Sequence, residues 1–138
     1  MKVDRLVIDT NVLISAVLSC AGAPAKLLDQ LHIARTSLVF SEPAMAELAT
    51  RLLRTKFDRY VDRDTRIRFL AEIDAVAEFV GISGAPIGCR DRSDDIFLET
   101  ALTAECQLII SGDQDLLTLD PWRDIRILSP VEALKTLF

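Results

Sequence analysis

The chain has 138 residues, half of them hydrophobic, with five Gly, five Pro, 21 acidic and 16 basic residues, and a net charge of −5. That balance fits one globular domain over 1–138 with a sizeable core, and it excludes a disordered chain. It also argues against a protein that grips nucleic acid through its overall charge. In chain order, the apolar run at 4–8 reads as a strand, 11–20 as a helix ended by "CAGAP", and 24–34 as a second helix. "SLVF" at 37–40 is the next strand, followed by a helix over 41–57 with Ser41 as its cap and Pro43 tolerated in its first turn. A long helix follows over 63–80, with Ile67, Leu70, Ala71, Ile73, Ala77 and Val80 broadly at helical spacing. "GISGAPIGC" reads as loop with room for a short strand, 94–105 as helix, "QLIIS" at 107–111 as strand and 113–118 as a helical turn. "DIRILS" at 124–129 is the last strand, and "SPVEALKTLF" closes with a capping box from Ser129 to Glu132. Short apolar strands alternating with helices indicate an α/β fold, a parallel sheet of four to five strands sandwiched by helices.

Cys20, Cys89 and Cys106 are odd in number and widely spaced, so they suggest a reducing, cytoplasmic compartment rather than a disulfide framework. The opening "MKVDRLVID" has no signal-peptide pattern, and no stretch approaches the ~20 apolar residues of a membrane span. The single histidine, His32, cannot assemble a zinc site or a Ser-His-Asp arrangement, and reads as a surface or helix-end residue. Chemistry therefore has to rest on carboxylates.

In parallel α/β sheets, ligands sit beyond the carboxyl ends of the strands. Asp9 lies directly after the first strand and Asp113 just after "QLIIS", which puts both at the same edge. Asp94 and Asp95 open the next-to-last long helix, whose apolar positions Ile96, Phe97, Leu98, Ala101 and Leu102 are expected to bury it and leave its acidic start at the rim. Each has an ordinary alternative: Asp9 and Asp94 as helix caps, Asp113 as an Asx-type turn. Glu47 is equally well explained by an i,i+4 pair with Arg51. Together, though, converging carboxylates repel unless a cation neutralises them or their pKa values rise, and oxygen ligands without His or Cys point to Mg²⁺ or Mn²⁺. Between Arg51 and Arg68 lie seven basic and three acidic residues. That local excess reads either as solvated helix faces or as a phosphate-tracking patch beside the acidic centre.

These motifs resemble those of PIN-domain ribonucleases, and specifically the toxin components of VapC-type toxin–antitoxin pairs. "VIDTNVLIS" is similar to the family's opening strand-to-helix motif, with the first acid at Asp9 and support from Asn11. "SEPAMAELATRLLRTKF" matches the segment of the second acid at Glu47. "DRSDDIFLETAL" matches that of the third, in a register favouring Asp94 over Asp95. "LIISGDQDLL" puts the fourth acid at Asp113, with Asp115 in support and Ser111 where Thr is usual. The resemblance implies a PIN domain that hydrolyses RNA phosphodiester bonds with Mg²⁺ or Mn²⁺ held by Asp9, Glu47, Asp94, Asp113 and Asp115. It implies hydrogen bonds from Thr10, Asn11 and Ser111 to those carboxylates, and RNA backbone contacts from Arg51, Arg54, Lys56 and Arg59. A separate antitoxin chain and a homodimer are further implications. The rival expectation is a PIN fold kept as an RNA- or protein-binding module without turnover.

Other classes fit less well. A haloacid-dehalogenase-type phosphatase needs an Asp where Asn11 stands, a receiver domain needs an acidic pair that "VIDTN" lacks, and no GxxxxGK[ST] loop is present.

Overall fold

The computed structural model describes residues 1–89 and 92–138, the side chain of Ser93 excepted; Arg90 and Asp91, which open the "RDRSDDIFLETAL" stretch, lie outside them. The strands are β1 (Arg5–Ile8), β2 (Ser37–Phe40), β3 (Glu78–Phe79), β4 (Leu108–Ile110) and β5 (Arg126–Leu128). They form one parallel sheet in the order β3-β2-β1-β4-β5. The helices are α1 (Thr10–Leu18), α2 (Ala23–Ile33), α3 (Glu42–Leu52), α4 (Arg63–Val76), α5 (Arg92–Thr103), α6 (Gln114–Leu117) and α7 (Pro130–Leu137). In β1 and β4, Leu6, Val7, Ile8, Leu108, Ile109 and Ile110 are all buried, which is why these strands read as unbroken apolar runs rather than alternating ones. His32 is exposed in the last turn of α2. Among the described residues, no single helix is long and apolar enough to cross a membrane.

The register aligns the strand ends, with Ile8 opposite Ile110 and Ile110 opposite Leu128. The residues just past those ends cap the helices leaving the same edge. Asp9 accepts from the Val12 N–H at 3.0 Å, Ser41 from Ala44 at 3.4 Å and Ser129 from Glu132 at 3.2 Å. From β1 the chain crosses to β2 on one side, while β4 pairs on the other. The order therefore reverses between β1 and β4, the place where such sheets open a crevice for ligands.

Two helices are shorter than their spacing predicts. The helix expected over 41–57 stops at Leu52, and Thr55–Phe57 form a separate 3₁₀ turn. Its last carbonyls are taken by arginines from α4: Arg66 donates to Leu52 at 2.8 Å and to Arg54 at 3.1 Å, and Arg63 to Leu53 at 3.4 Å. The helix expected over 63–80 stops at Val76, because Ala77 turns extended and Glu78–Phe79 join the sheet beside β2. Glu78 pairs with Arg5, and the Phe79 ring lies 6.3 Å from that of Phe40. The short strand thus precedes "GISGAPIGC" instead of lying within it. Arg66 also leaves the expected basic patch: it is fully buried and paired with Asp58, so its charge is spent inside the fold.

Candidate metal centre

Asp9 is the buried hub of the carboxyl edge. Its Oδ1 caps α1 through Val12, and its Oδ2 accepts the hydroxyl of buried Ser111, the first residue past β4. The cap and the site reading of Asp9 are therefore compatible, one oxygen facing each way. Burial pushes the Asp9 carboxyl above its ordinary pKa against the pull of these hydrogen bonds, and the charges of Asp113 and Glu47 push it the same way. Ser111 Oγ in turn accepts from the Asp113 N–H at 3.0 Å, and Asp113 Oδ1 from the Asp115 N–H at 3.0 Å. One hydroxyl thus links the ends of β1 and β4.

Asp94, buried in the first turn of α5, meets Asp113 and Asp115 there: one carboxylate oxygen from each lies within 4.8 Å of the other two. Like charges at that range repel by about 1 kcal/mol even in bulk water and more where water is excluded. The neighbouring Asp95 is equally buried but turns to other work. Its Oδ1 accepts the Cys89 N–H at 3.1 Å. The Cys89 thiol, with the amides of Ile87, Cys89 and Gly88, holds the Asp95 carboxyl below its ordinary pKa. Burial and Asp95 push the Cys89 thiol up to about 12, so it stays protonated at neutral pH. Asp95 therefore anchors the 87–89 loop to the start of α5, while Asp94 faces Asp113.

Glu47 reaches the same neighbourhood from α3. Its Oε2 accepts the Thr10 hydroxyl at 2.6 Å, and its Oε1 pairs with Arg51 at 3.0 Å, the i,i+4 bridge its spacing suggests. Asn11 is exposed and, among the described residues, makes no hydrogen bond to a carboxylate; it lines a cleft of about 630 Å³ with Ser15, Asp113 and Gln114. Arg54, Lys56 and Arg59 are exposed beyond the end of α3, whose last residue Leu52 stands about 7.5 Å of helix rise past Glu47.

The donor set suits a hard divalent cation. It consists of carboxylate oxygens backed by hydroxyls, with the nearby cysteine protonated and no imidazole in the cluster. Sequence reasoning missed Asp95 as a loop anchor and Arg66 as a buried scaffold. A helix-start acid and a helix arginine look alike whether they face inward or outward, so only the anchoring loop and the carbonyls reveal them.

The PIN domain family model matches residues 5–115, a span that holds all five carboxylates Asp9, Glu47, Asp94, Asp113 and Asp115. The uncharacterized protein MJ1680 of Methanocaldococcus jannaschii is 31% identical over 116 residues, covering 83% of this chain and 74% of that protein. The crystal structure of PAE2754 from Pyrobaculum aerophilum is similar with a TM-score of 0.64 at 13% identity, covering 96% of this chain and 88% of that one. At that identity the likeness is one of fold.

Proposed function

The chain belongs to the PIN domain family, whose members are generally metal-dependent nucleases, and on that premise we propose that it is a ribonuclease using Mg²⁺ or Mn²⁺ to hydrolyse RNA phosphodiester bonds. The observation that carries the reading is the Asp94, Asp113 and Asp115 cluster at the β1/β4 crevice, with raised-pKa Asp9 beside it. A divalent ion there supplies Lewis-acid polarisation of the scissile phosphate and a more acidic bound water. Asp94, Asp113 and Asp115 would hold the ion, with Asp9 beside them outside that group. Ser111 fixes the orientation of Asp9, as Thr10 does for Glu47. Glu47, held by Thr10 and Arg51, would orient the attacking water or hold a second ion; attack at phosphorus would break the bond to the 3′ oxygen, which takes up a proton, leaving 5′-phosphate and 3′-hydroxyl ends. Arg51, Arg54, Lys56 and Arg59 meet the RNA backbone.

The finer reading is a VapC-type toxin, acting in the cytoplasm as a homodimer and restrained by a separate antitoxin chain. It rests on the motifs, and an open, mainly apolar groove of about 1000 Å³ bordered by Leu28, Leu38, Phe69 and Val76 offers a partner a seat away from the carboxylates.

The test is cleavage of tRNA, rRNA fragments and mRNA by purified protein with Mg²⁺ or Mn²⁺, with EDTA, and with Asp94→Asn. Cleavage that needs the metal and vanishes in the variant is the expected result. Metal-indifferent RNA or protein binding without cleavage would replace the nuclease with a PIN-fold binding module.

A further inference from the structure

The connection between α3 and α4 carries exposed cations and one exposed aromatic ring on a backbone fixed from beneath. Arg66, fully buried, donates to the carbonyls of Leu52, Arg54 and Val61 and pairs with Asp58, so one guanidinium holds both ends and the middle of residues 52–61. Phe57 packs against the core, and the Tyr60 N–H donates to its carbonyl at 3.0 Å. Outside this frame Tyr60 is 67% exposed, with the Arg59 guanidinium 5.6 Å from its ring centroid, and Lys56 stands 5.1 Å from the Phe57 ring. An exposed tyrosine on a pinned turn, flanked by cations, lacks the burial that would make it a core residue.

We propose that Tyr60 is a stacking platform for an unpaired base of the RNA strand bound at the carboxylate centre, with Arg54, Lys56 and Arg59 on the flanking phosphates. The inference rests on RNA as the ligand. Arg51 pairs with Glu47, and Arg54, Lys56 and Arg59 follow it along the chain as exposed residues up to this turn. Arg59 packs on the ring, and a base stacks on its open area, which every base offers and a duplex withholds by stacking its bases on one another. The turn therefore selects single-stranded RNA without reading its sequence.

The test measures binding by the otherwise wild-type chain with Ca²⁺ in place of Mg²⁺ or Mn²⁺, so that the centre is kept while turnover is suppressed, using a single-stranded RNA containing 2-aminopurine and the same RNA annealed to its complement. Tyr60→Ala is expected to weaken the single strand by about 5- to 150-fold, the span of base–aromatic stacking. Duplex affinity should stay within about twofold on the same reasoning. Tyr60→Phe should retain affinity, and the 2-aminopurine quenching seen with the parent should disappear in Tyr60→Ala. Equal affinity of parent and Tyr60→Ala for the single strand overturns the proposal, as does an equal loss on both RNAs or quenching that survives the substitution. Absence of RNA affinity also overturns it and leaves the patch to an acidic protein. Tyr60-dependent binding by a chain whose wild type never cleaves would keep the platform and remove only the nuclease reading.

Discussion

Asp9 and Arg66 are both buried charges, and the fold treats them in opposite ways. Around Arg66, the α3–α4 connection supplies three carbonyls and a carboxylate, so the guanidinium is satisfied from within. Around Asp9, the carboxyl edge supplies one amide and one hydroxyl and then adds more negative charge from Asp113 and Glu47. A buried charge with its partners built in is framework; one surrounded by its own sign is a candidate ligand site. One residue apart, Asp95 is held by the 87–89 loop, while a carboxylate oxygen of Asp94 lies beside those of Asp113 and Asp115.

The largest effect is expected on the framework side. Arg66→Ala strands the carbonyls of Leu52, Arg54 and Val61 and should cost about 2–4 kcal/mol in urea unfolding. A loss below about 1 kcal/mol, the level of a surface pair, would return Arg66 to the solvated patch its sequence suggests. On the acidic side, Ser111→Ala removes the hydroxyl shared by Asp9 and Asp113 and should weaken Mn²⁺ binding by about 10- to 100-fold in calorimetry. Unchanged affinity would detach Ser111 from the centre.

The pH dependence sharpens the contrast further. An acid whose pKa is raised on folding binds its proton more tightly in the native chain. Its contribution to stability therefore falls as pH climbs from the unfolded value, 3.8, through the folded one. Asp9→Asn keeps a capping oxygen and escapes this cost. In EDTA its thermal midpoint should gain on that of the parent as pH rises through that window, and added Mg²⁺ should narrow the gap by stabilising the parent. A gap of the opposite sign would mean that Asp9 is already compensated within the fold. The smallest effect belongs to Arg51→Gln, which breaks the i,i+4 bridge to Glu47. Stability should change by no more than about 0.5 kcal/mol, while RNA affinity drops and its salt dependence becomes shallower.

The helix and strand rhythm was legible because β1 and β4, buried on both faces, are short apolar runs, and because Asp9, Ser41 and Ser129 stop each strand with a residue that caps the next helix. From that rhythm alone Asp9 and Asp113 fall at one edge. What stayed hidden depends on distant partners. The end of α3 is set by Arg66, fourteen residues on from Leu52, and β3 exists because Phe79 and Glu78 find Phe40 and Arg5. Nothing local separates Asp94 from Asp95, since both are helix-start acids; the loop at 87–89 does. Tyr60 was within reach, as the one tyrosine in "KFDRY", an aromatic set among cations.

The proposed role of the carboxyl edge is to bind a divalent ion, and Mn²⁺ titration followed by electron paramagnetic resonance tests it most directly. The wild type, Asp94→Asn and Asp95→Asn are to be compared at one pH and ionic strength. The account predicts saturable Mn²⁺ binding that Asp94→Asn abolishes and Asp95→Asn retains. Binding that survives Asp94→Asn, or that is lost only with Asp95, would contradict it.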